Sequence, residues 1–89
     1  MEVIIDGNKF KTQEEFHQLI KKELDLPDYY GENLDALWDC LTGFIEFPVF
    51  IIWINYHQSK KLLGKEADII AKTFEDAAVE LTDLEFNKQ

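Results

Sequence analysis

The chain has 89 residues, of which 46% are hydrophobic and 13% aromatic, so it can close one modest core and is too short for two domains of ordinary size. Its 18 acidic and 9 basic side chains give a formal net charge of -9, which repels polyanions and argues against direct binding to nucleic acid or anionic lipid. The longest apolar run, residues 47–54, is far below the roughly 18 residues that a membrane span needs, and Cys40 is the only cysteine, so no intramolecular disulfide can form.

The N-terminus lacks a basic region followed by an apolar segment of signal-peptide length, so we predict a cytoplasmic protein. The charge is also distributed unevenly along the chain. From residue 23 to residue 59 there is no Lys, but the acidic residues are Glu23, Asp25, Asp28, Glu32, Asp35, Asp39 and Glu46. Such a segment projects a negative field, which either serves solubility alone or attracts a cationic partner.

The first two elements are a strand and a helix. Residues 3–5 form a β-branched run that Asp6-Gly7 closes, which predicts a strand followed by a turn. Thr12 and Glu15 have the spacing of a capping box, and apolar residues then recur near helical spacing. This pattern predicts a helix from about residue 13 to residue 25.

An irregular loop and a second helix follow. Pro27 ends the first helix, and residues 26–32 contain the Pro, Asp and Gly that are typical of a loop. Asn33 is a good N-cap for a helix over residues 33–42, and Gly43 suits the position just past its end.

The second half of the chain repeats the alternation of strand and helices. Residues 49–54 are apolar without alternation, which predicts a strand covered on both faces of a parallel sheet. Residues 59–63 predict one or two helical turns ending at Gly64, a longer amphipathic helix has apolar positions from residue 69 to residue 81, and residues 81–86 alternate as an edge strand does. The order β-αα-β-αα-β predicts an α/β domain with a small three-stranded parallel sheet, about four helices and right-handed connections.

The second helix carries an unusual arrangement of charge. At 3.6 residues per turn, Asp35, Asp39 and Thr42 share one face, and Trp38 lies at its boundary with the apolar face. Two like charges one turn apart cost a few tenths of a kcal/mol, and Asp39 also faces the negative end of the helix dipole. The simpler interpretation is that Trp38 covers the core while the acids face water; the alternative is that a cationic partner compensates the charges.

Aromatic and amide side chains surround this helix in the sequence, a mixture that suits a protein-binding patch. The residues concerned are Tyr29, Tyr30, Gly31, Asn33, Phe44 and Glu46. For the two tyrosines, an equally good interpretation is that one packs inward and the other lies exposed.

The stretch YYGENLDALWDCLTG, residues 29–43, followed by FIEFP, resembles the barstar family of intracellular ribonuclease inhibitors. Length, acidity and element order fit that family over residues 1–89, as a single barstar-like domain. In this family the second helix and the loop before it block the basic active site of a secreted guanyl-type ribonuclease of the barnase type, with carboxylates at the positions of RNA phosphates. The resemblance also implies a cis bond between Phe47 and Pro48.

Carried over by motif, Asp39 is the central phosphate mimic and Asp35 meets a neighbouring basic group. The surrounding contacts would come from Tyr29, Gly31, Asn33, Trp38 and Thr42, with Phe44, Glu46, Asp76 and Glu80 at the edges of the interface. The implied complex is 1:1, with an inhibitor that is monomeric when free.

Two positions depart from the family pattern. Asp76 stands where the family has a Glu and is one methylene shorter, and Phe44 stands where a Trp is familiar. These differences point to a different cognate nuclease. For Asp76 and Glu80, a solvated helix face is an equally good interpretation.

Other classes of function fit less well. An enzyme is disfavoured because Asp35 and Asp39 share an exposed face with no apolar pocket to raise one pKa, so we predict no catalytic residues. The loop lacks the ligand spacing of an EF-hand and the histidines do not cluster, so we predict neither a metal nor a cofactor. The remaining alternative is an immunity protein or acidic interaction domain that uses the same fold for another toxin or basic partner.

Overall fold

The computed structural model describes residues 1–89, and its elements follow the predicted order β-αα-β-αα-β. They are β1 (Glu2–Asp6), α1 (Gln13–Glu23), α2 (Leu34–Gly43), β2 (Val49–Ile54), α3 (Tyr56–Leu63), α4 (Lys65–Glu80) and β3 (Leu84–Lys88). The three strands form one parallel sheet. The predicted fold class is confirmed.

The strand order places all four helices on one face of the sheet. The order is β1-β2-β3, so each connection moves the chain one strand further in the same direction. A connection between parallel strands is almost always right-handed, and two right-handed connections in one direction must cross the same face. The sheet therefore has a covered face and an open face.

Strand β2 shows this asymmetry, and the prediction that both of its faces are covered was wrong. Val49, Ile51 and Trp53 are buried under the helices, whereas Phe50 on the other face is 41% exposed. On the open face, Phe50 lies between Glu2 of β1 and Glu85 of β3 in the register of the sheet. An unbroken apolar run does not distinguish a strand buried on both faces from this one.

The core between sheet and helices is built around Trp53. Its ring centroid lies 5.9 Å from that of Phe10, 5.8 Å from that of Phe16 and 6.5 Å from that of Phe74. The indole Nε1 donates a hydrogen bond of 3.1 Å to the buried Ser59 Oγ, so the polar atom of this large side chain is satisfied inside the core.

Helix α1 begins as the capping box predicts but ends earlier. The Thr12 Oγ1 accepts a hydrogen bond of 3.1 Å from the Glu15 backbone N–H. At the other end, Asp25 adopts the left-handed conformation with φ 51°, and the Leu26 N–H donates to the Lys21 carbonyl at 2.8 Å. This Schellman motif ends the helix at Glu23, two residues before the predicted boundary and before Pro27 can act.

Three other boundaries differ from the prediction. Gly43 is the last residue of α2 and does not adopt a left-handed conformation after it. Helix α3 begins at Tyr56 and not at Ser59, because left-handed Asn55 turns the chain directly out of β2. Leu81 caps α4, so β3 begins only at Leu84.

No helix of the structure combines the length and the apolar character that crossing a membrane requires. The Phe47–Pro48 peptide bond is cis, as the resemblance implies.

We predict that Gly43→Ala stabilises the protein by up to about 1 kcal/mol, because Ala loses less conformational freedom than Gly in a helix. A Cβ at Gly43 meets no atom within 4 Å. Gly64→Ala is the matched control, since φ at Gly64 is +61° and a side chain there is strained by about 1–3 kcal/mol. Urea unfolding of the two variants measures both effects, and a destabilised Gly43→Ala would contradict the helical assignment of Gly43.

Candidate protein-binding surface

The predicted site is organised by the start of α2. The Asn33 Oδ1 accepts a hydrogen bond of 2.8 Å from the Ala36 N–H, and its Nδ2 donates one of 3.2 Å to the Gly31 carbonyl. Asn33 is therefore the predicted N-cap and also shapes the loop before the helix. A Cβ on Gly31 would lie 3.3 Å from both the Ala36 Cβ and the Asn33 Nδ2, so a larger residue would push this loop outward.

The exposed side of α2 carries the predicted acidic residues. Asp35 and Asp39 are exposed, Trp38 and Thr42 are half-buried beside them, and these four residues form what we call the α2 face. No Lys or N-terminal nitrogen lies within 4.0 Å of either carboxylate, since every ion pair of the protein lies elsewhere. The two charges are uncompensated within the chain.

Trp38 and Thr42 tie the α2 face to the rest of the molecule. The Trp38 side chain packs against the hydrophobic core while part of its surface remains accessible. The Thr42 Oγ1 donates a hydrogen bond of 2.8 Å to the Trp38 carbonyl, which orients its hydroxyl. Trp38 thus covers the core, as the simpler interpretation holds, and still presents surface beside the acids.

The two tyrosines of the loop before α2 have opposite environments, which confirms the interpretation that one packs inward. Tyr29 is 83% exposed, whereas Tyr30 is 6% exposed and its hydroxyl lies 2.6 Å from Nδ1 of the buried His17. This hydrogen bond fastens the loop to α1. Glu32 in the same loop has φ 52°, so the backbone turns sharply just before the N-cap.

Burial shifts the acid–base properties of this anchor. Burial lowers the pKa of His17, and the negative charge of Glu32 opposes the shift. Burial also raises the pKa of Tyr30, with the Cys40 thiol and Glu32 acting in the same direction. A neutral imidazole and a neutral phenol therefore share the hydrogen bond at pH 7.

Sequence reasoning did not identify His17 as part of the site. A signal was present, because His17 lies three residues before Ile20 and directly after Phe16, both of which are on the buried side of α1. Helical spacing could have placed His17 in the core. It could not have shown that Tyr30 is the partner.

The remaining predicted residues lie at the edges of the α2 face. Phe44 is 46% exposed and Glu46 is exposed, in the loop after α2, where they line a shallow groove with Met1 and Leu24. That groove has a volume of about 280 Å³.

Helix α4, which contacts α2, carries Asp76 and Glu80. Both residues lie in the same layer of helices as α2, but they differ in that only Asp76 forms an ion pair. The Lys72 Nζ lies 3.2 Å from the Asp76 Oδ1, one turn away on an exposed helix surface. Glu80 has no ion pair. Exposed pairs of this kind add little to the stability of a helix. The main effect of Lys72 is therefore to offset part of the negative charge of Asp76.

The chemistry available at this surface is electrostatic recognition. Burial, with a smaller contribution from the Asp39 charge, raises the pKa of Cys40, so its thiol stays protonated at pH 7 and is a poor nucleophile. No cluster of three or more His, Cys, Asp or Glu side chains has the geometry to hold a metal ion. Exposed carboxylates beside aromatic rings suit the binding of a basic protein.

Comparisons with known proteins agree with the resemblance seen in residues 29–43. The model of the family described as "Barstar (barnase inhibitor)" matches residues 1–88. A protein of Bacillus subtilis (strain 168) named "Putative ribonuclease inhibitor YrdF" is 46% identical over 81 residues, which make up 91% of this chain and 89% of that protein.

We predict that the free energy of unfolding falls as the pH is lowered from 7.5 to 5. The unfolded chain binds a proton on His17 at the ordinary pKa of 6.5, but the folded state resists it because its pKa is lower. The unfolded state therefore holds more protons below pH 6.5, and stability is lost as the pH falls towards the folded pKa.

His17→Gln is the control for this pH dependence, because the Gln Oε1 can accept the Tyr30 hydroxyl proton without titrating. Urea unfolding at several pH values should give a shallower decline for His17→Gln than for the wild type. Parallel curves for the two proteins would show that His17 does not cause the pH dependence.

Proposed function

Because the chain belongs to the barstar family, we propose that it is a ribonuclease inhibitor that blocks the active site of a guanyl-type ribonuclease with α2 and the loop before it. The family and the name of the relative support the role of ribonuclease inhibitor. Proteins of this family are inhibitors and not enzymes, and we propose no catalytic residue, cofactor or metal for this chain.

The observation that supports the mechanism most directly is the pair of uncompensated carboxylates on the α2 face. Asp35 and Asp39 are exposed, one turn apart, and free of any ion pair within the chain. A ribonuclease active site binds phosphates with Arg and Lys, and a carboxylate can take the position of a phosphate oxygen with short, charge-assisted hydrogen bonds. In the proposed complex Asp39 lies at the centre and Asp35 meets a neighbouring base.

The residues around the acids contribute rigidity and contact area. Asn33 and Thr42 already make hydrogen bonds within the chain, so the surface is ordered before the partner arrives. Binding then costs less conformational entropy. Tyr29 and Trp38 present aromatic surface beside the charges, which is the composition expected of residues that contribute most to affinity.

The whole chain contributes through its field. A net charge of -9 attracts a basic enzyme over a distance of about 10 Å at 0.1 M salt. The association rate is therefore high at low salt and falls as salt is added. We propose a monomeric, cytoplasmic inhibitor in which residues 1–89 act as one domain and form a 1:1 complex with a barnase-type ribonuclease.

The specificity of this inhibitor for one ribonuclease over another depends on the residues at the edges of the proposed interface. Gly31, Phe44, Glu46, Asp76 and Glu80 complete the proposed interface. The Lys72 side chain next to Asp76 makes this corner less negative than the centre of the α2 face. A cognate enzyme with a weakly basic or neutral group opposite Asp76 fits this arrangement best.

We predict stoichiometric 1:1 inhibition of a purified barnase-type ribonuclease that weakens from 50 to 300 mM salt. Asp39→Ala should weaken binding roughly a hundredfold or more, because it leaves buried bases of the enzyme unpaired. Glu85→Gln is the matched control, since it removes one charge from the open face of the sheet and should change affinity less than about threefold. Inhibition constants from RNA cleavage and calorimetry provide the measurement.

Two results would contradict the proposal. Folded wild-type protein that fails to inhibit at micromolar concentration would exclude this class of ribonuclease. Equal losses of affinity for Asp39→Ala and Glu85→Gln would show that net charge alone, and not the α2 face, causes binding.

A further inference from the structure

A small open notch lies where α4 ends, outside the residues of the α2 face. Its volume is about 190 Å³. Its walls come from the loop after α2 and the turn between α4 and β3, and the lining residues are Phe47, Glu80, Leu81, Thr82 and Asp83. Of these, only Glu80 belongs to the interface proposed above.

The notch is a strongly negative environment. Glu80 and Asp83 both line it and neither forms an ion pair. Helix α4 has 16 residues and no basic residue in its last turn, so its negative dipole end is uncompensated there. A cation in the notch would be attracted by two full charges and by the helix.

Backbone acceptors are also available at this helix end. The Leu81 N–H donates to the Ala77 carbonyl at 2.9 Å, and no hydrogen bond within the protein reaches the carbonyls of Ala78, Val79 and Glu80. Such groups at a helix end are satisfied by side chains, water or a ligand. Of these three residues only Glu80 lines the notch, so its carbonyl adds a backbone acceptor to the two carboxylates there, and such a set suits a donor with several N–H groups.

Two of the three remaining lining residues, Phe47 and Leu81, are apolar, which narrows the class of cation. Phe47 is 39% exposed and Leu81 is half-buried. An aliphatic side-chain stem can cover them while its charged head reaches the acids, whereas a bare metal ion gains nothing from such walls. A guanidinium group can also stack on an aromatic ring and donate up to five hydrogen bonds in a plane, which an ammonium group cannot do.

The notch is continuous with the proposed interface, because Phe47 directly follows Glu46 and Glu80 lies on both. We propose that it is a specificity subsite that receives an Arg side chain of the inhibited ribonuclease, with Glu80 and Asp83 as charge partners and Phe47 as the stacking wall. This inference rests on the proposed function for the identity of the partner, but the affinity of the notch for a guanidinium group can be measured by itself.

The first experiment titrates the ¹⁵N-labelled protein with N-acetyl-arginine amide and follows amide chemical shifts. The largest changes should occur at residues 80–83 and Phe47, should shrink at least severalfold with N-acetyl-lysine amide, and should disappear in Asp83→Asn. Asp83 is exposed, and the hydrogen bond that its carbonyl accepts from the Val49 N–H involves only backbone, so this variant should keep the fold. Shifts spread evenly over all acidic surfaces, or unchanged by Asp83→Asn, would overturn the subsite.

The second experiment measures the affinity of the variants for a barnase-type ribonuclease. Asp83→Asn should weaken the complex roughly tenfold, as expected for the loss of a hydrogen bond to a charged group. Phe47→Leu should weaken it several-fold, and Glu85→Gln should leave it within about threefold. Equal effects of Asp83→Asn and Glu85→Gln would overturn the assignment of the notch to the ribonuclease.

The two experiments separate the two proposals. If the wild type does not inhibit the ribonuclease, the proposed function fails, and the arginine titration still decides whether the notch binds a guanidinium group. If inhibition occurs and depends on Asp39 but not on Asp83, the proposed function stands and the subsite is wrong.

Discussion

The handedness of the two helical connections is the constraint on which the rest of this structure depends. Since connections between parallel strands are almost always right-handed, the strand order β1-β2-β3 requires every helix to lie on one face of the three-stranded sheet, and the exposure of Phe50 on the other face agrees with this. Helices α2 and α4 are therefore neighbours in one layer and bury their apolar sides around Trp53. Their outer sides face solvent, and this arrangement is why the proposed interface can combine acids from two helices that are distant in the chain.

The proposed interface is held in place by contacts below it. Asn33 caps α2 and ties the preceding loop to it, and Tyr30 reaches under the surface to the buried His17. Neither contact needs a partner, so the loop is ordered in the free protein. A preformed surface loses less entropy on binding, and that saving increases affinity without any additional contact. Burial of the same anchor disfavours a proton on His17, so the imidazole stays neutral while it holds the loop.

The acidic residues of α2 and of the end of α4 lower the local stability of these helices. Asp35 and Asp39 repel each other, and α4 ends with acidic residues and no base. Three lysines form ion pairs: Lys60 with Asp68, Lys72 with Asp76 and Lys88 with Glu75. Asp76, at the edge of the proposed interface, is therefore paired, whereas the acids of the α2 face and of the notch have no ion pair and remain available to a basic protein. This contrast supports recognition of a cationic partner better than solubility alone does.

The local features of the chain were readable from its sequence, because caps, helical periodicity and turn residues act over only a few positions. The element order, the capping box at Thr12, the N-cap Asn33 and the shared face of Asp35 and Asp39 all appear as predicted. Boundaries were less accurate where two local rules compete, as at Asp25, whose left-handed turn ends α1 before Pro27. Only the tertiary structure decided which face of β2 is open, which tyrosine is buried, that His17 is its partner, and that Phe47 and Asp83 share a notch. Each of these depends on contacts between residues distant in the chain, and a pattern of period 2 or 3.6 carries no information about which distant element will cover it.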